Sequence, residues 1–309
     1  MDILLLHNRA AGGQDPSPAR LLALLRREGY DPRYFDLHPA LQDPTTLPRA
    51  EFAVVAGGDG SFREAALKLA GRGLPLAVLP LGTANNVART LGITGSIPGI
   101  IASWNPGRRA RYDIGVARGP WGEERFVEGV GIGLFARIIE ILSHVKDPDV
   151  HVQSGPPHRV ASDLRSTTVL AHEMAPVLVE ATLDGDRLSG QFLLLEIMNS
   201  GHVGAGIELA RADVSDGQFD VVHAQLPERE KLLASLRNVA TAEPAPSLLT
   251  TRRGRDVELI LPPCEFRLDD RVIVLADPAR VHLSMSPESI ELVLPATADA
   301  SHAAARARA

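Results

Sequence analysis

A single cysteine, Cys264, stands in a chain of 309 residues, so no internal disulfide can form and no second thiol is present to help hold a metal. It is expected to be a packing or surface residue. Long hydrophobic runs are missing as well, and no apolar stretch approaches the length of about eighteen residues that would suggest a bilayer-spanning segment. The first residues carry neither a basic leader nor a small-residue cleavage site. Met1-Asp2 leads directly into Ile3-Leu4-Leu5-Leu6, which reads as a first strand and as the start of a cytoplasmic protein. A basic excess is also absent, and the net charge of −6 argues against a general affinity for nucleic acid or anionic lipid surfaces. Two local basic clusters, Arg108-Arg109-Ala110-Arg111 and Arg252-Arg253-Gly254-Arg255, read as solvated loops, with contact to phosphate or lipid headgroups as the alternative. There is no internal repeat and no long low-complexity linker.

What is present is an ordinary globular composition, 45% hydrophobic and 23% charged, in a chain long enough for two domains without disulfides or a structural metal. The first third alternates strand-like residues 3–7, helical 18–28, strand-like 52–56, helical 62–71 and a buried strand at 76–80. Residues 82–91 begin as a loop and turn helical. That rhythm predicts a parallel α/β sheet, whose ligands sit at the carboxyl ends of strands. After about residue 113 the runs shorten and become β-rich, at 177–183, 191–198, 219–225, 256–261, 272–275 and 290–294. Asp184-Gly185-Asp186 signals a hairpin, residues 231–241 look helical, and 243–247 reads as a loop. The tail from 296 to 309 reads as a short helix or a frayed end. The expected division is an α/β nucleotide-binding domain over 1–115, with or without the tail 296–309, and a β-rich substrate domain over 116–295.

Chemistry concentrates in two turns. Val54-Val55-Ala56-Gly57-Gly58-Asp59-Gly60-Ser61-Phe62 is an apolar strand emptying into a glycine-rich turn that opens a helix. Glycines there let backbone amides approach an anion, and the helix N-terminus favours phosphate. The plainer alternative is an ordinary strand-to-helix turn. No Gly-Lys-Ser/Thr follows, so this is not a P-loop, and the glycine spacing is not that of the dinucleotide fingerprint. The second turn is Leu79-Pro80-Leu81-Gly82-Thr83-Ala84-Asn85-Asn86-Val87-Ala88-Arg89. Its side chains suit a phosphate, a purine edge or the neighbouring aspartate, while Thr83 and Asn85 also fit plain helix capping.

Residues 57–61 resemble the Gly-Gly-Asp-Gly-Thr/Ser signature shared by diacylglycerol kinases, sphingosine kinases, NAD kinases and phosphofructokinases. Residues 80–89 look like the Pro-Leu-Gly-Thr-x-Asn-Asp-x-Ala-Arg motif of the first two, which points to lipid kinases of the diacylglycerol-kinase catalytic-domain type. His7-Asn8-Arg9-Ala10-Ala11-Gly12 is similar to that family's first-strand Asn-Pro-x-Ser-Gly, and residues 126–136 are similar to its Phe-x-x-x-x-Gly-x-Gly-x-x-Ala. Residues 199–222, ending in Asp216-Gly217-Gln218-Phe219-Asp220-Val221-Val222, look like the stretch ending in Asp-Gly-x-Leu-Asp-Val. The resemblance runs over about residues 1–295.

The resemblance implies a phosphofructokinase-like α/β domain, a C-terminal β-sandwich domain, and ATP with Mg²⁺ between them. The phosphate would go to a hydroxyl of diacylglycerol, a sphingoid lipid or a related lipid at a membrane surface, so peripheral membrane association is part of the expectation. Asn8, Gly57, Gly58, Asp59, Gly60, Ser61, Gly82, Thr83 and Asn85 would meet the nucleotide, with Asp59 also catalytic. Asp216 would match a Mg²⁺-holding acid, a plain turn being its alternative. Phe266-Arg267-Leu268-Asp269-Asp270-Arg271 aligns with the family's Leu-Asp-Gly-Glu, making Asp269 the implied general base. Here Asp270 replaces Gly, which disfavours a left-handed turn, and Arg271 replaces Glu, giving either a phosphate contact or an altered site. Asn86 stands where many members have Asp, and Glu128 where Asn is frequent. Residues 129–141 are the expected lining of a lipid cleft, or else ordinary core. Two alternatives stay open: a catalytically impaired nucleotide- or lipid-binding homologue, and a kinase for a soluble acceptor such as NAD. Against the second, the Gly-Thr-Gly-Ser-Thr-Ala-like segment of NAD kinases is absent. A homodimer is compatible with the sequence.

Overall fold

In a computed structural model that describes residues 1–11, 16–144, 167–240 and 248–296, the chain begins with alternating strands and helices. These are β1 (Asp2–His7), α1 (Pro18–Arg27), β2 (Asp31–Asp36), α2 (Leu37–Gln42), β3 (Phe52–Gly57), α3 (Asp59–Leu69), β4 (Leu76–Pro80), α4 (Asn86–Thr90) and α5 (Ile97–Ser103). It continues through β5 (Trp104–Gly119), β6 (Gly122–Phe126), β7 (Gly129–Gly133), α6 (Leu134–His144), β8 (Val177–Leu183), β9 (Asp186–Arg187), β10 (Gly190–Met198), β11 (His202–Val203) and β12 (Ile207–Glu208). The remainder is β13 (Phe219–Gln225), α7 (Arg229–Ala240), β14 (Thr250–Gly254), β15 (Asp256–Leu261), β16 (Cys264–Leu268), β17 (Arg271–Leu275) and β18 (Ala279–Pro295). Gly12 of the first-loop motif, the loop expected at 243–247 and the tail at 297–309 lie outside the described residues.

The chain divides into two units. The first comprises Met1–Ile114, Asp213–Asp216 and the residues from Ser286 onward, and the second comprises Gly115–Ala212 and Gly217–Met285. Residues 286–295, which the sequence pattern groups with the β-rich half, therefore belong to the first unit. The reason is a long-range pairing: Leu292 of β18 lies parallel to Leu76 of β4.

In the first unit the strand order is β18-β4-β3-β1-β2, with β1 parallel to both β2 and β3, and β3 parallel to β4. Ile3, Leu4, Leu5 and Leu6 are fully buried, as are Phe52, Ala53, Val54 and Ala56. Continuous apolar runs of this kind suit strands covered on both faces. Helix α1 starts where the Ser17 hydroxyl accepts from the Arg20 amide ahead of Pro18, buries Leu21 and Leu25 one turn apart, and stops before Gly29 at φ +84°. Strand β2 is not anticipated by the sequence pattern: its residues Asp-Pro-Arg-Tyr-Phe-Asp are mostly polar, and among the described residues it pairs with β1 alone.

The second unit is a β-sandwich. One layer runs β17-β16-β7-β10, with β13 and β14 beyond β10, and the other contains β8, β15 and the first part of β18. Phe192, Leu195, Ile197, Phe266 and Leu268 from the first layer pack against Val179, Ala181, Val257, Leu259, Val281 and Leu283 from the second. The opposite face of the first layer carries Leu193, Leu194, Met198 and Val222 against Leu134 and Phe135 of α6 and Leu232 and Leu236 of α7. A register shift between Phe192 and Leu194 lets two consecutive leucines face the same cluster. The expected hairpin forms at Asp184-Gly185, with φ +52° and +86°, the positive pair a tight two-residue turn requires. Among the described residues no helix is long and apolar enough to cross a membrane.

Candidate active site

At the carboxyl ends of β1, β3 and β4 the first unit brings the two glycine turns together. Gly57 closes β3, Gly58 caps α3, and the helix begins at Asp59, three residues earlier than the sequence pattern suggests. The second turn docks where the Leu81 amide donates to the Gly57 carbonyl at 2.8 Å. A Cβ on Gly82 would lie 2.6 Å from the Gly58 Cα, so these turns approach as closely as they do only because both residues lack side chains. Asn85, at φ +51°, folds its side chain back: Oδ1 accepts from the Gly82 amide at 2.9 Å and Nδ2 donates to the Gly82 carbonyl at 2.7 Å. Its local-structure role is thus satisfied within the turn. Thr83 is exposed at the rim.

Asp59 bridges the turns from the other side. Its Oδ1 accepts from the Val87 amide at 3.0 Å, and the amides of Asn85 and Asn86 bond the same carboxylate. Burial pushes this carboxyl above its ordinary value, and the amides oppose that rise. Asn8 joins them from β1: its Nδ2 donates to the buried Ser61 Oγ at 2.9 Å, and its Oδ1 accepts from the Ala10 amide at 3.0 Å. Asn8, Gly57, Gly58, Asp59, Gly60, Ser61, Gly82 and Asn85 therefore form one cradle, with Thr83 at its edge. Its amide-rich floor at the start of α3 is chemically suited to a phosphate group.

The second unit holds Asp269 in the turn between β16 and β17, at φ +52°. The left-handed residue is Asp269 itself and not Asp270, so replacement of the family glycine at 270 does not strain this turn. The Asp269 carboxylate is buried against three successive amides: Oδ1 accepts from Glu128 at 2.9 Å and Gly129 at 3.1 Å, and Val127 donates to Oδ2 at 3.1 Å and Oδ1 at 3.3 Å. Oδ1 is saturated. Oδ2, with one bond, retains a lone pair able to take a proton. Burial raises this carboxyl, and the amides and Arg267 restrain the rise.

Beneath this turn lies a buried ion pair that the sequence reading misses. Gly131 of β7 stands in register between Glu196 of β10 and Arg267 of β16, and the two long side chains meet over it. Arg267 donates to Glu196 Oε2 through Nε at 3.1 Å and Nη2 at 2.5 Å, and its Nη1 donates to the Asp269 carbonyl at 2.7 Å. A Cβ on Gly131 would collide with the Glu196 carboxylate. The signal was the glycine alternation at 129, 131 and 133, which leaves one face of a buried strand without side chains. Residues 129–133 are accordingly filled by the protein itself, whereas Ile138 and Ile139 of α6 are half-buried and Ile141 is exposed.

Arg271 donates to Glu124 of β6, so its guanidinium is held by a carboxylate of the same unit. Asp216 lies in a turn ahead of Gly217 at φ +69°, and among the described residues no group of three His, Cys, Asp or Glu side chains gathers into a metal site.

Residues 2–117 match the family model described as "Diacylglycerol kinase catalytic domain", and residues 163–292 match "YegS C-terminal NAD kinase beta sandwich-like domain". The chain is 27% identical over 316 residues to a "Probable lipid kinase YegS-like" of Pseudomonas aeruginosa (strain UCBPP-PA14), covering 95% of this chain and 94% of that protein. It is 25% identical over 250 residues to a "Diacylglycerol kinase" of Mycobacterium tuberculosis (strain CDC 1551 / Oshkosh), covering 78% and 76%. A crystal structure of a diacylglycerol kinase from Bacillus anthracis str. Sterne shares the fold, with a TM-score of 0.63 over 96% of this chain and 98% of that one at 17% identity. These two domain matches, catalytic domain first and sandwich second, together with relatives named as lipid and diacylglycerol kinases, identify this chain as a lipid kinase that carries a diacylglycerol kinase catalytic domain.

Proposed function

We propose that this lipid kinase transfers the γ-phosphate of ATP to a hydroxyl of diacylglycerol, a sphingoid lipid or a related membrane lipid. The observation that carries the reading is the interlocked cradle, in which Gly58 and Gly82 bring two turns into backbone contact beside the start of α3 and Asn8. A phosphate chain lying there meets amide donors and the positive end of an eleven-residue helix. Asp59 and Asn85 contribute by fixing the shape of the cradle, since their polar atoms are committed to amides of the turn.

Asp269 is the residue we assign as general base. Its Oδ2 accepts the proton of the lipid hydroxyl as that oxygen forms its bond to the γ-phosphorus and the bridging bond to ADP breaks. The three amides on Asp269 favour its ionised form and oppose the rise that burial imposes. Asp216 is the carboxylate that would hold Mg²⁺, an ion that prefers oxygen ligands and would supply charge neutralisation at the transferring phosphoryl group.

The test is transfer of labelled γ-phosphate from ATP and Mg²⁺ to a panel of hydroxylated lipids in detergent micelles, with Asp269→Asn beside the native protein. Labelled lipid is expected from the native chain, and kcat is expected to fall by about 10² to 10⁴-fold in the variant while ATP affinity stays the same. Turnover retained by Asp269→Asn removes Asp269 from the role of base. ATP binding without any labelled lipid turns the reading towards a catalytically impaired homologue.

A further inference from the structure

At the carboxyl end of β2, next to the cradle, stands a carboxylate whose charge is felt by His7 and Tyr34 but whose oxygens are not taken up by a hydrogen bond among the described residues. Asp36 pairs in register with His7, the residue before Asn8, and it is half-buried. It precedes α2, but its side chain makes no capping bond, and among the described residues no hydrogen bond reaches it. Tyr34 and Asp36 share one face of β2. On that face the Tyr34 hydroxyl lies 3.4 Å from His7 Nδ1, and the two rings meet edge to face at 6.0 Å. The buried His7 and the half-buried Tyr34 thus stand beside the Asp36 carboxylate.

The spacing matches a nucleotide. Strand order places β1 between β3 and β2, and neighbouring strands lie about 4.8 Å apart, so the end of β2 stands on the order of 10 Å from the phosphate turn after β3. A triphosphate chain bridges such a span and delivers its ribose there. A vicinal diol is a pair of donors, and a carboxylate is the acceptor best matched to it. Dinucleotide-binding sheets use the same chemistry, with an acid at the end of the second strand on the ribose.

We propose that Asp36 recognises the donor nucleotide through its ribose, accepting hydrogen bonds from the 2′- and 3′-hydroxyl groups. This rests on the ATP reading above. The experiment is calorimetric titration of the full chain with ATP, 2′-deoxy-ATP and 3′-deoxy-ATP in Mg²⁺, repeated with Asp36→Ala and Asp36→Asn. The native chain is expected to bind each deoxy nucleotide about tenfold or more weakly than ATP, the scale of a hydrogen bond to a charged group. In Asp36→Ala all three nucleotides should bind alike, ATP losing the most and each deoxy nucleotide losing the one hydroxyl contact that it keeps in the native chain. Asp36→Asn keeps the side-chain shape and should lose most of the preference. Equal affinities for the three nucleotides in the native chain overturn the ribose assignment while leaving the kinase reading intact, and so does a full preference for ATP in either variant. No binding of any of them overturns the nucleotide reading and this inference with it.

Discussion

Replacing Arg267 by methionine isolates what the buried ion pair contributes. Glu196 is fully buried and Arg267 nearly so, and burial pushes the Glu196 carboxyl up while Arg267 opposes that rise. Arg267→Met leaves a buried carboxylate without its cation, a loss of about 3–5 kcal/mol. Loss of the Nη1 bond to the Asp269 carbonyl adds about 1 kcal/mol. At about 2–4 °C per kcal/mol for domains of about 150–250 residues, the melting temperature at pH 8 should fall by roughly 8–24 °C. The ionic part of this loss depends on pH. In the variant, folded Glu196 keeps its proton well above the value of about 4.3 at which the unfolded chain releases it. Between those values the folded state binds more protons, so stability falls as pH rises, by about 1.4 kcal/mol per unit. Below about pH 4.3 the carboxyl is neutral in both states and this part of the deficit vanishes. Scanning calorimetry of native protein and variant at pH 5, 6.5 and 8 should therefore show a gap that widens with pH. Glu196→Gln combined with Arg267→Met removes the titrating group and should flatten that dependence. A gap that is the same at pH 5 and pH 8, or a slope that persists in the double variant, refutes the reasoning.

Gly82→Ala places a Cβ 2.6 Å from the Gly58 Cα and 2.9 Å from Asn85 Oδ1, so the two turns must separate. A destabilisation of about 1–3 kcal/mol and at least a tenfold loss of ATP affinity are expected by denaturation and calorimetry, and unchanged ATP affinity would remove the cradle from phosphate binding. Because Asp269 must be ionised to act as base and burial raises its carboxyl, kcat/KM should fall on the acid side at a pH above the ordinary aspartate value of about 3.9. A pH–rate profile with no acid limb above pH 4 contradicts that role.

Much of the α/β half was legible locally. Apolar runs as continuous as residues 3–6 and 52–56 have no stable place except a doubly covered strand, and the glycine turns after β3 and β4 announce themselves because no other residue allows Gly58 and Gly82 to touch. The hairpin at Asp184-Gly185 is equally local, since positive φ at two successive residues is a property of the turn itself. Asp269 was legible as a family position, but its three amide partners lie about 140 residues earlier in the chain.

The rest is decided by pairing at long range. Strand β2 is polar and carries a proline, and only β1 beside it makes it a strand and brings Asp36 opposite His7. The end of β18 belongs with the first unit because Leu292 finds Leu76. Arg271 is committed to Glu124, and Arg267 meets a carboxylate 71 residues away across the bare face of Gly131. Sequence by itself determined where the backbone must turn or be buried, because those demands are met within a few residues. Tertiary structure alone decided which charges face each other, because strand register sets that across hydrogen-bonded neighbours that are remote in the chain.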